Sequence, residues 1–357
     1  MAIDDAPSGT SRHAVVRADA SAALGTGHVT RTRTLAEALV RRGWRVTFVT
    51  REMPARTAAA IEDAGIALLK LSADVESEPS EMAERIGDGI DLVVADHYGF
   101  DARWFEAIRR HLPGAMVVVI DDLGDRSMAV DVVLNQNLGA DAAMYAGLIP
   151  AGARVLAGPA YALLRPEFAA RRRRGRTRDG RVDRILIFLS GSDAPDVTAR
   201  AMTALGDLGP SLDVVVGGAH PDLAGLRSIA ARQPRTRLFV DTDAMAELMD
   251  GADLAVGAPG SASWERCALG LPAVLVILAD NQVQTESQLV RAGAAVSVGW
   301  HTDVSAGILA RTVRELMSDP TRVMAMSAAA AAVTDGRGAE RVVAEIESMR
   351  SQPRAEG

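Results

Sequence analysis

The sequence predicts an α/β protein built from two Rossmann-like domains. Short apolar runs rich in Val, Ile and Leu alternate with longer stretches of helical period, and this alternation occurs twice along the 357 residues. Near-continuous apolar strands separated by helices are typical of parallel sheets that are covered on both faces. With 48% hydrophobic residues, the chain is long enough for two cores of about 150 residues each.

The first series of predicted strands begins at His13. Its apolar runs are HAVVRAD, RVTFVT, IALLKL, DLVVAD and AMVVVIDD. Between the first two runs, the stretch GHVTRTRTLAEALVRRG has its apolar residues on one helical face and ends in a glycine, which indicates a helix and its stop.

The alternation is interrupted between Asp131 and Phe168, where Gly and Pro separate short pieces, and the arginine-rich stretch RRRRGRTRDGR follows. Such a segment indicates a domain boundary. The arginine run could bind phosphate or nucleic acid, but we favour a solvated linker face.

The second series of predicted strands consists of RILIFLS, LDVVVGG, RLFV, ADLAVGA and PAVLVILAD. An Ala-rich segment (323–333) and an amphipathic helix from about 336 to 349 end the chain. We therefore predict a flexible tail (1–12), two Rossmann-like domains (13–175 and 176–333) and a C-terminal helix and tail (334–357). Ligands of such folds bind outside the carboxyl ends of the strands, so the cleft between the halves is the expected site.

Composition and charge exclude several classes of function. Asp and Glu outnumber Lys and Arg by 46 to 39, so no general polycationic surface is expected to attract nucleic acid. Lys70 is the only lysine, which leaves no phosphate-loop lysine and no convincing Schiff-base lysine. The histidines form no compact ligand set, so we expect chemistry without a metal or another cofactor.

The expected location is the cytoplasm. A single cysteine, Cys267, permits no intrachain disulfide and fits a reducing compartment. The first dozen residues are polar and acidic, unlike an export signal. No uninterrupted apolar stretch reaches the roughly 18 residues of a membrane span, so we expect no stable membrane anchoring.

A glycine-containing loop follows the first predicted strand. Gly25 and Gly27 precede His28 at the expected start of a helix. Glycines let the backbone turn sharply and approach a ligand, and the N–H groups of the first helical turn favour an anion. His28 either caps the helix or acts as a general base, and we favour the base because a titratable side chain lies in a loop at a strand's carboxyl end.

Polar residues also follow the strands DLVVAD and AMVVVIDD. Asp96 and His97 form either an acid and base pair or an ordinary strand end, and Tyr98 offers a ring and a hydroxyl to a substrate. The carboxylates of IDDLGDR could bind Mg²⁺, but turn aspartates are common and nothing completes the coordination set.

In the second half, two loops between a strand and a helix can present backbone N–H groups to a diphosphate. One is LSGSDAPD and the other is the small-residue loop 257–263, after which Glu265 could reach a ribose diol. A helix N-cap at Ser261 or Ser263 is the plainer interpretation, but it does not account for the whole loop. The predicted nucleotide-binding residues are Ser190, Gly191, Ser192, Asp193, Gly260, Ser261, Ala262, Ser263 and Glu265.

The chain resembles the family of UDP-2,4-diacetamido-2,4,6-trideoxy-β-L-altropyranose hydrolases of pseudaminic acid biosynthesis, whose relatives include spore-coat polysaccharide proteins. The resemblance lies, in order, in RADASAALGTGHVTR, ADHYGFDARW, IDDLGDR, NQNLG, GPAYALLRPEF, SGSD, GSASWERCALGLP and ADNQ. It implies a glycosyltransferase-B fold, in which two Rossmann-like domains face each other across a cleft. The first domain would take the sugar, the second would take the nucleotide, and the C-terminal helix would return to the first.

The resemblance also implies residue roles. His28 matches the histidine that activates water, Tyr98 and Asn281 match polar active-site residues, and Glu265 matches the carboxylate that holds the uridine ribose. The full set expected to bind the substrate is Arg17, Asp19, Gly25, Gly27, Tyr98, Asn281 and Gln282.

The expected activity is metal-independent hydrolysis of a UDP-linked amino or deoxy sugar, with inversion at the anomeric carbon. Two alternatives remain: a glycosyltransferase of the same fold that uses a hydroxyl acceptor, and a nucleotide-sugar-binding module without turnover. The expected partners are the UDP-sugar and no nucleic acid, and the expected state is a monomer or weak homodimer.

Overall fold

The computed structural model describes residues 12–21, 27–72, 74–190, 193 and 196–351. They fold into two compact units. The first contains the chain up to Gln136, residues 140–163 and the segment from Ala339 onward, and the second contains residues 137–139 and 164–338. The main crossing to the second unit thus follows Leu163, ahead of the arginine-rich stretch and of the predicted limit at 175.

The first unit contains a parallel sheet of seven strands, in the order β3, β2, β1, β4, β5, β6, β7. The strands are β1 (His13–Ala18), β2 (Arg45–Thr50), β3 (Ala67–Lys70), β4 (Leu92–Asp96), β5 (Met116–Ile120), β6 (Val132–Asn135) and β7 (Arg154–Ala157). The helices between them are α1 (Gly27–Arg41), α2 (Ala55–Glu62), α3 (Glu78–Ile86) and α4 (Ala102–His111). Strands β6 and β7 correct the prediction, because they lie where the sequence pattern was interrupted.

The second unit contains a parallel sheet of six strands, in the order β10, β9, β8, β11, β12, β13. The strands are β8 (Arg184–Phe188), β9 (Ser211–Val216), β10 (Thr236–Val240), β11 (Leu254–Gly257), β12 (Ala273–Ile277) and β13 (Ala295–Trp300). The remaining helices of the chain are α5 (Pro166–Arg172), α6 (Val197–Leu205), α7 (Leu223–Arg232), α8 (Met245–Gly251), α9 (Ala262–Ala268), α10 (Val283–Arg291), α11 (Ala306–Met317), α12 (Pro320–Val333) and α13 (Gly338–Ser351). Strand β13 was not among the predicted runs.

The strand order reverses direction once in each sheet. In the first unit the switch lies between β1 and β4, which are hydrogen-bonded neighbours. In the second unit it lies between β8 and β11. Loops that leave the carboxyl ends of two such strands diverge to opposite sides of the sheet, and the crevice between them is the usual ligand site of a doubly wound fold. Four of the polar loops identified in the sequence follow these four strands, and two others follow β5 and β12.

Helix α13 belongs to the core of the first unit. Val342, Val343 and Ile346 are buried in the same apolar cluster as alternate residues of β1. Polar contacts fix the exposed side of the helix, since Glu347 accepts hydrogen bonds from Arg42 and Arg350 donates to Asp91. In the described part of the chain, no helix combines the length and the apolar character needed to cross a membrane.

Candidate functional site

His28 and Asp96 meet at the switch point of the first unit. Helix α1 follows β1 and carries His28 in its first turn, and Asp96 is the last residue of the neighbouring strand β4. The Nδ1 atom of His28 lies 2.7 Å from Oδ1 of Asp96. Both residues are buried, with exposed fractions of 9% and 1%. The sequence had left Asp96 open between an acid and base pair and an ordinary strand end, and the structure pairs it with His28.

Arg31 holds the carboxylate of Asp96 from the other side. Its Nε donates to Oδ2 at 2.6 Å and its Nη2 donates to Oδ1 at 2.7 Å. Burial alone would raise the pKa of Asp96, but the charge and hydrogen bonds of Arg31 outweigh it and lower the pKa. Asp96 is therefore an ionised acceptor at neutral pH. Arg31 was not predicted, although its spacing from His28 on a helix places both on one face.

Tyr98 lies against the ring of His28. The two rings meet edge to face with their centroids 4.8 Å apart, and the hydroxyl of Tyr98 donates to Asp122 at 3.3 Å. Tyr98 is 37% exposed. Burial and the charge of Asp122 raise the pKa of Tyr98, so the phenol stays neutral and can donate a hydrogen bond.

Arg17 and Asp19 do not face a substrate, which corrects the expectation from the sequence. Arg17 is 0% exposed and ion-pairs with Glu78 at 2.6 Å and with Asp19 at 2.7 Å. Asp19 accepts hydrogen bonds from the Thr50 hydroxyl and the Arg51 backbone N–H. Burial would raise the pKa of Asp19, but Arg17 and the backbone donors lower it to about 2. The pair braces the strand ends beneath the site.

The other residues that the sequence analysis singled out near His28 are Gly25, Gly27 and His97. Gly27 is the first residue of α1. Gly25 lies outside the described residues. His97 does not pair with Asp96: its Nδ1 accepts the backbone N–H of Gly99, and its Nε2 faces Asp19 at 3.9 Å.

The aspartates after β5 are already paired. Asp121 lies 2.8 Å from Arg126 and accepts the backbone N–H groups of Leu123 and Gly124. Asp122 lies 3.4 Å from Arg31 and accepts the hydroxyl of Tyr98. An arginine therefore lies beside each of these carboxylates, which the Mg²⁺ interpretation considered from the sequence did not include.

One group of described residues has the spacing of a cation site: Asp193, Asp196 and His220. The sequence did not indicate it, because residues from separate loops form it. The Nδ1 of His220 accepts the backbone N–H of Asp222, so Nε2 carries the proton. That nitrogen lies 3.8 Å from Asp193 and is a donor rather than a metal ligand in this tautomer.

Residues of the loop after β8 form hydrogen bonds within the loop and to the start of α6. Ser190 accepts the backbone N–H of Asp193 at 2.7 Å, and the carboxylate of Asp193 accepts the N–H of Thr198 at 2.6 Å. Asp193 is 0% exposed. It therefore fixes the start of α6 and is not positioned to touch a nucleotide, contrary to the prediction. Gly191 and Ser192 lie outside the described residues.

The loop after β11 presents some of its predicted residues and hides others. Gly260 and Ala262 are half-buried, and Ser261 is exposed and makes no capping hydrogen bond to α9. Ser263 is 1% exposed and accepts a hydrogen bond from Arg266, so its hydroxyl points into the protein rather than to a ligand. Residues 260–262 are the part of this loop that a ligand can reach.

Glu265 lies in the first turn of α9. Its side chain is 16% exposed and its Oε1 lies 3.8 Å from Nη2 of Arg165. Burial raises the pKa of Glu265, and the charge of Arg165 opposes this rise without cancelling it. Arg165 was not predicted and also stacks over the ring of Phe168.

The predicted polar pair after β12 lies in a short 3₁₀ turn, Asp280–Gln282. Asn281 is exposed, whereas the side-chain oxygen of Gln282 accepts the backbone N–H of Leu278 at 2.9 Å. Asn281 is thus available to a ligand, and Gln282 steadies the turn that presents it.

Comparisons with known proteins establish the fold. Residues 228–342 match the glycosyltransferase family 28 C-terminal domain. The spore coat polysaccharide biosynthesis protein SpsG of Bacillus subtilis is 26% identical, over 95% of this chain and 99% of that protein. The UDP-2,4-diacetamido-2,4,6-trideoxy-beta-L-altropyranose hydrolase of Campylobacter jejuni is 24% identical, over 78% of this chain and 97% of its own length.

Among solved structures, MurG of Acinetobacter baumannii superposes with a TM-score of 0.65 at 18% identity and covers 95% of this chain and 100% of its own. Together with the two parallel sheets, this likeness shows that the chain has the two-domain, Rossmann-like glycosyltransferase-B fold.

Proposed function

We propose that this chain is an enzyme that acts on a UDP-linked sugar and releases UDP by hydrolysis at the anomeric carbon. The observation that carries the proposal is the contact of 2.7 Å between His28 and the ionised Asp96 at the switch point of the first unit. A neutral histidine fixed by a carboxylate is the usual arrangement of a general base. The curated relative from Campylobacter jejuni, named as a UDP-sugar hydrolase, supports the substrate class.

The proposed reaction uses His28 on water. With Nδ1 donating to Asp96, Nε2 has a free lone pair and takes a proton from a water molecule. The water oxygen forms a bond to the anomeric carbon while the bond from that carbon to the diphosphate oxygen breaks, and UDP leaves with the electron pair. Asp96 stabilises the imidazolium that forms. Attack from the face opposite the leaving group inverts the anomeric centre.

The second unit holds the nucleotide in this proposal. Glu265 accepts the two ribose hydroxyls, and the backbone of loop residues 260–262 faces the diphosphate. Asn281 and Tyr98 contact the substrate through their polar groups. No metal ion or other cofactor is required, because hydrogen-bond donors offset the charge that develops on UDP.

A glycosyltransferase is the second candidate, because residues 228–342 match a glycosyltransferase domain. Incubation of the purified protein with UDP-sugars separates the two activities. Rapid UDP release without an acceptor supports the hydrolase. Slow release that an added hydroxyl acceptor accelerates supports the transferase, and binding without release would leave only a binding module.

Oxygen-18 water identifies the bond that breaks. Attack on the anomeric carbon places the label in the free sugar and leaves UDP unlabelled, whereas label in UDP would contradict the proposed direction of attack. His28→Asn should lower turnover by about 100-fold to 10,000-fold, the range of a positioned general base, with nucleotide affinity within a few-fold. Near-normal turnover would reduce His28 to a helix-capping residue.

A further inference from the structure

Arg266 is a buried arginine directly under the loop 257–263. It lies in α9 and is 3% exposed. Both of its hydrogen bonds come from Nη2, which donates to the backbone oxygen of Ala258 and to the hydroxyl of Ser263, each at 2.9 Å. One nitrogen therefore joins the two ends of the loop.

Arg266 forms no direct ion pair with the described residues, although the charge of the neighbouring Glu265 favours its charged form. Its acceptors are a carbonyl and a hydroxyl, and no described carboxylate lies within ion-pair distance. Arg17, the other deeply buried arginine beside a candidate loop, has two carboxylates. Burial lowers the pKa of Arg266 to about 10, so the group stays charged at neutral pH. A buried charge without a partner is costly, unless a ligand supplies the partner.

The guanidinium of Arg266 lies at the switch point of the second unit. A Cβ atom added to Gly257 would lie 2.7 Å from Nη1 of Arg266 and 2.7 Å from the backbone oxygen of Phe188. The guanidinium is therefore packed against the carboxyl ends of β8 and β11 at once. Glycine at 257 is what lets it approach so closely.

We propose that Arg266 is a positioning residue that makes the loop 257–263 selective for the anionic part of a nucleotide. Its hydrogen bonds to Ala258 and Ser263 join the two ends of the loop, and its guanidinium provides the positive charge that a diphosphate neutralises. This inference rests on the proposed nucleotide-binding function. It assigns the discrimination between a nucleoside diphosphate and a nucleoside to Arg266, which was not among the predicted residues.

Arg178 provides a matched control. It is also buried, and burial also lowers its pKa to about 10. All of its side-chain nitrogens donate to backbone carbonyls at the ends of α8 and α9, away from the loop. Arg178 is thus a buried arginine whose partners are complete without a ligand.

The test compares UDP with uridine by calorimetry. In Arg266→Gln and Arg266→Met, the preference for UDP over uridine should fall by about 10-fold to 100-fold, the effect of losing a charged partner, while uridine affinity stays within about three-fold. Arg266→Lys, which keeps the charge, should recover part of the preference. Arg178→Met should unfold more easily but keep the wild-type preference. Circular dichroism and thermal melting identify the folded variants, and the methionine variant keeps the apolar stem should the glutamine variant fail to fold.

Two results would overturn the inference: an unchanged preference in a folded Arg266→Gln or Arg266→Met protein, or equal losses for UDP and uridine, which indicate a purely structural role. Failure of the wild-type protein to bind either compound would instead refute the proposed nucleotide function itself.

Discussion

Two contacts of unequal length decide the tautomer of His28. Its Nδ1 lies 2.7 Å from Asp96 and 3.3 Å from Nη2 of Arg31. A guanidinium can only donate, so it cannot accept the Nδ1 proton. The shorter contact, to an ionised carboxylate, therefore places the proton on Nδ1 and leaves Nε2 basic. Arg31 keeps Asp96 ionised and thereby acts on the base indirectly.

Substitution of Asp96 tests this tautomer. Asp96→Asn keeps the size of the side chain but can present an N–H group to Nδ1, which favours the wrong tautomer. Turnover should fall by about 100-fold to 10,000-fold, and UDP affinity should stay within about two-fold. A folded variant with normal turnover would contradict the role of Asp96.

The pH dependence of UDP binding tests Glu265. Because burial raises the pKa of Glu265, the carboxylate becomes protonated at a higher pH than an ordinary glutamate, whose pKa is about 4.3. A protonated carboxyl cannot accept both ribose hydroxyls, so UDP affinity should fall as the pH falls through that raised value. Glu265→Ala should cost about 2 to 3 kcal/mol of binding at neutral pH. Calorimetry from pH 4 to 8, with Glu265→Gln as a weak and pH-independent control, measures both effects; a wild-type affinity that does not change with pH would remove the assignment.

At the scale of elements, two arginines of the arginine-rich stretch close helix ends, whereas most of the stretch is exposed. Arg172 donates to the backbone oxygens of Ala268 and Ala331, at the ends of α9 and α12. Arg178 does the same at the ends of α8 and α9. The last carbonyls of a helix have no partner within it and carry partial negative charge, so an arginine is a favourable cap. Arg174 is exposed, as the linker interpretation predicts for the whole run.

Removal of Arg178 should therefore destabilise the second unit. Arg178→Met leaves several buried carbonyl groups without a donor, and we expect a loss of about 3 kcal/mol in the free energy of unfolding. Arg174→Met removes an exposed charge from the same stretch and should change stability by less than about 0.5 kcal/mol. Urea denaturation followed by circular dichroism compares them. Equal stabilities of the two variants would restore the solvated-linker interpretation.

The sequence predicts most strands of the two sheets but does not identify β6, β7 and β13. The runs that correspond to β4 and β5, LVVAD and MVVVI, consist mainly of Val, Ile and Leu, as is typical of buried parallel strands. Strands β6 and β7 have four residues each and stand between Gly and Pro residues, so local pattern does not separate them from loops. Their neighbours in the sheet supply the hydrogen bonds that make them strands.

The same distinction applies to the candidate site. His28 and Tyr98 were predicted because each follows a strand in a loop with turn residues. The partnership of His28 and Arg31 with Asp96 was not, because it joins side chains more than 60 residues apart and depends on β1 lying beside β4. Arg17 and Asp193 were predicted to contact the ligand because they are charged and lie in motifs, but both are buried in the structure. A charged residue in a motif indicates direct contact with a ligand only when the fold leaves its side chain accessible.

At the scale of the whole molecule, each unit repeats the same strand order around its switch point but offers different chemistry there. The first unit gathers a titratable group, carboxylates and a phenol around His28. The second gathers small residues, the carboxylate of Glu265 and the charge of Arg266. The two switch points thus differ in the chemistry that their described side chains offer.

This difference leads to the expectation that chelation leaves turnover intact. Asp121 and Asp122 are paired with arginines, and Arg266 with its loop provides positive charge for a diphosphate without a cation. Release of UDP in EDTA should equal release in buffer with added Mg²⁺. The one described group with cation spacing, Asp193, Asp196 and His220, defines the opposite outcome. If EDTA abolishes turnover and Mg²⁺ restores it, turnover of His220→Gln should not be restored by Mg²⁺. The His220 tautomer would then have to change on metal binding. In that case Arg266 alone would not account for stabilisation of the charge on the leaving group.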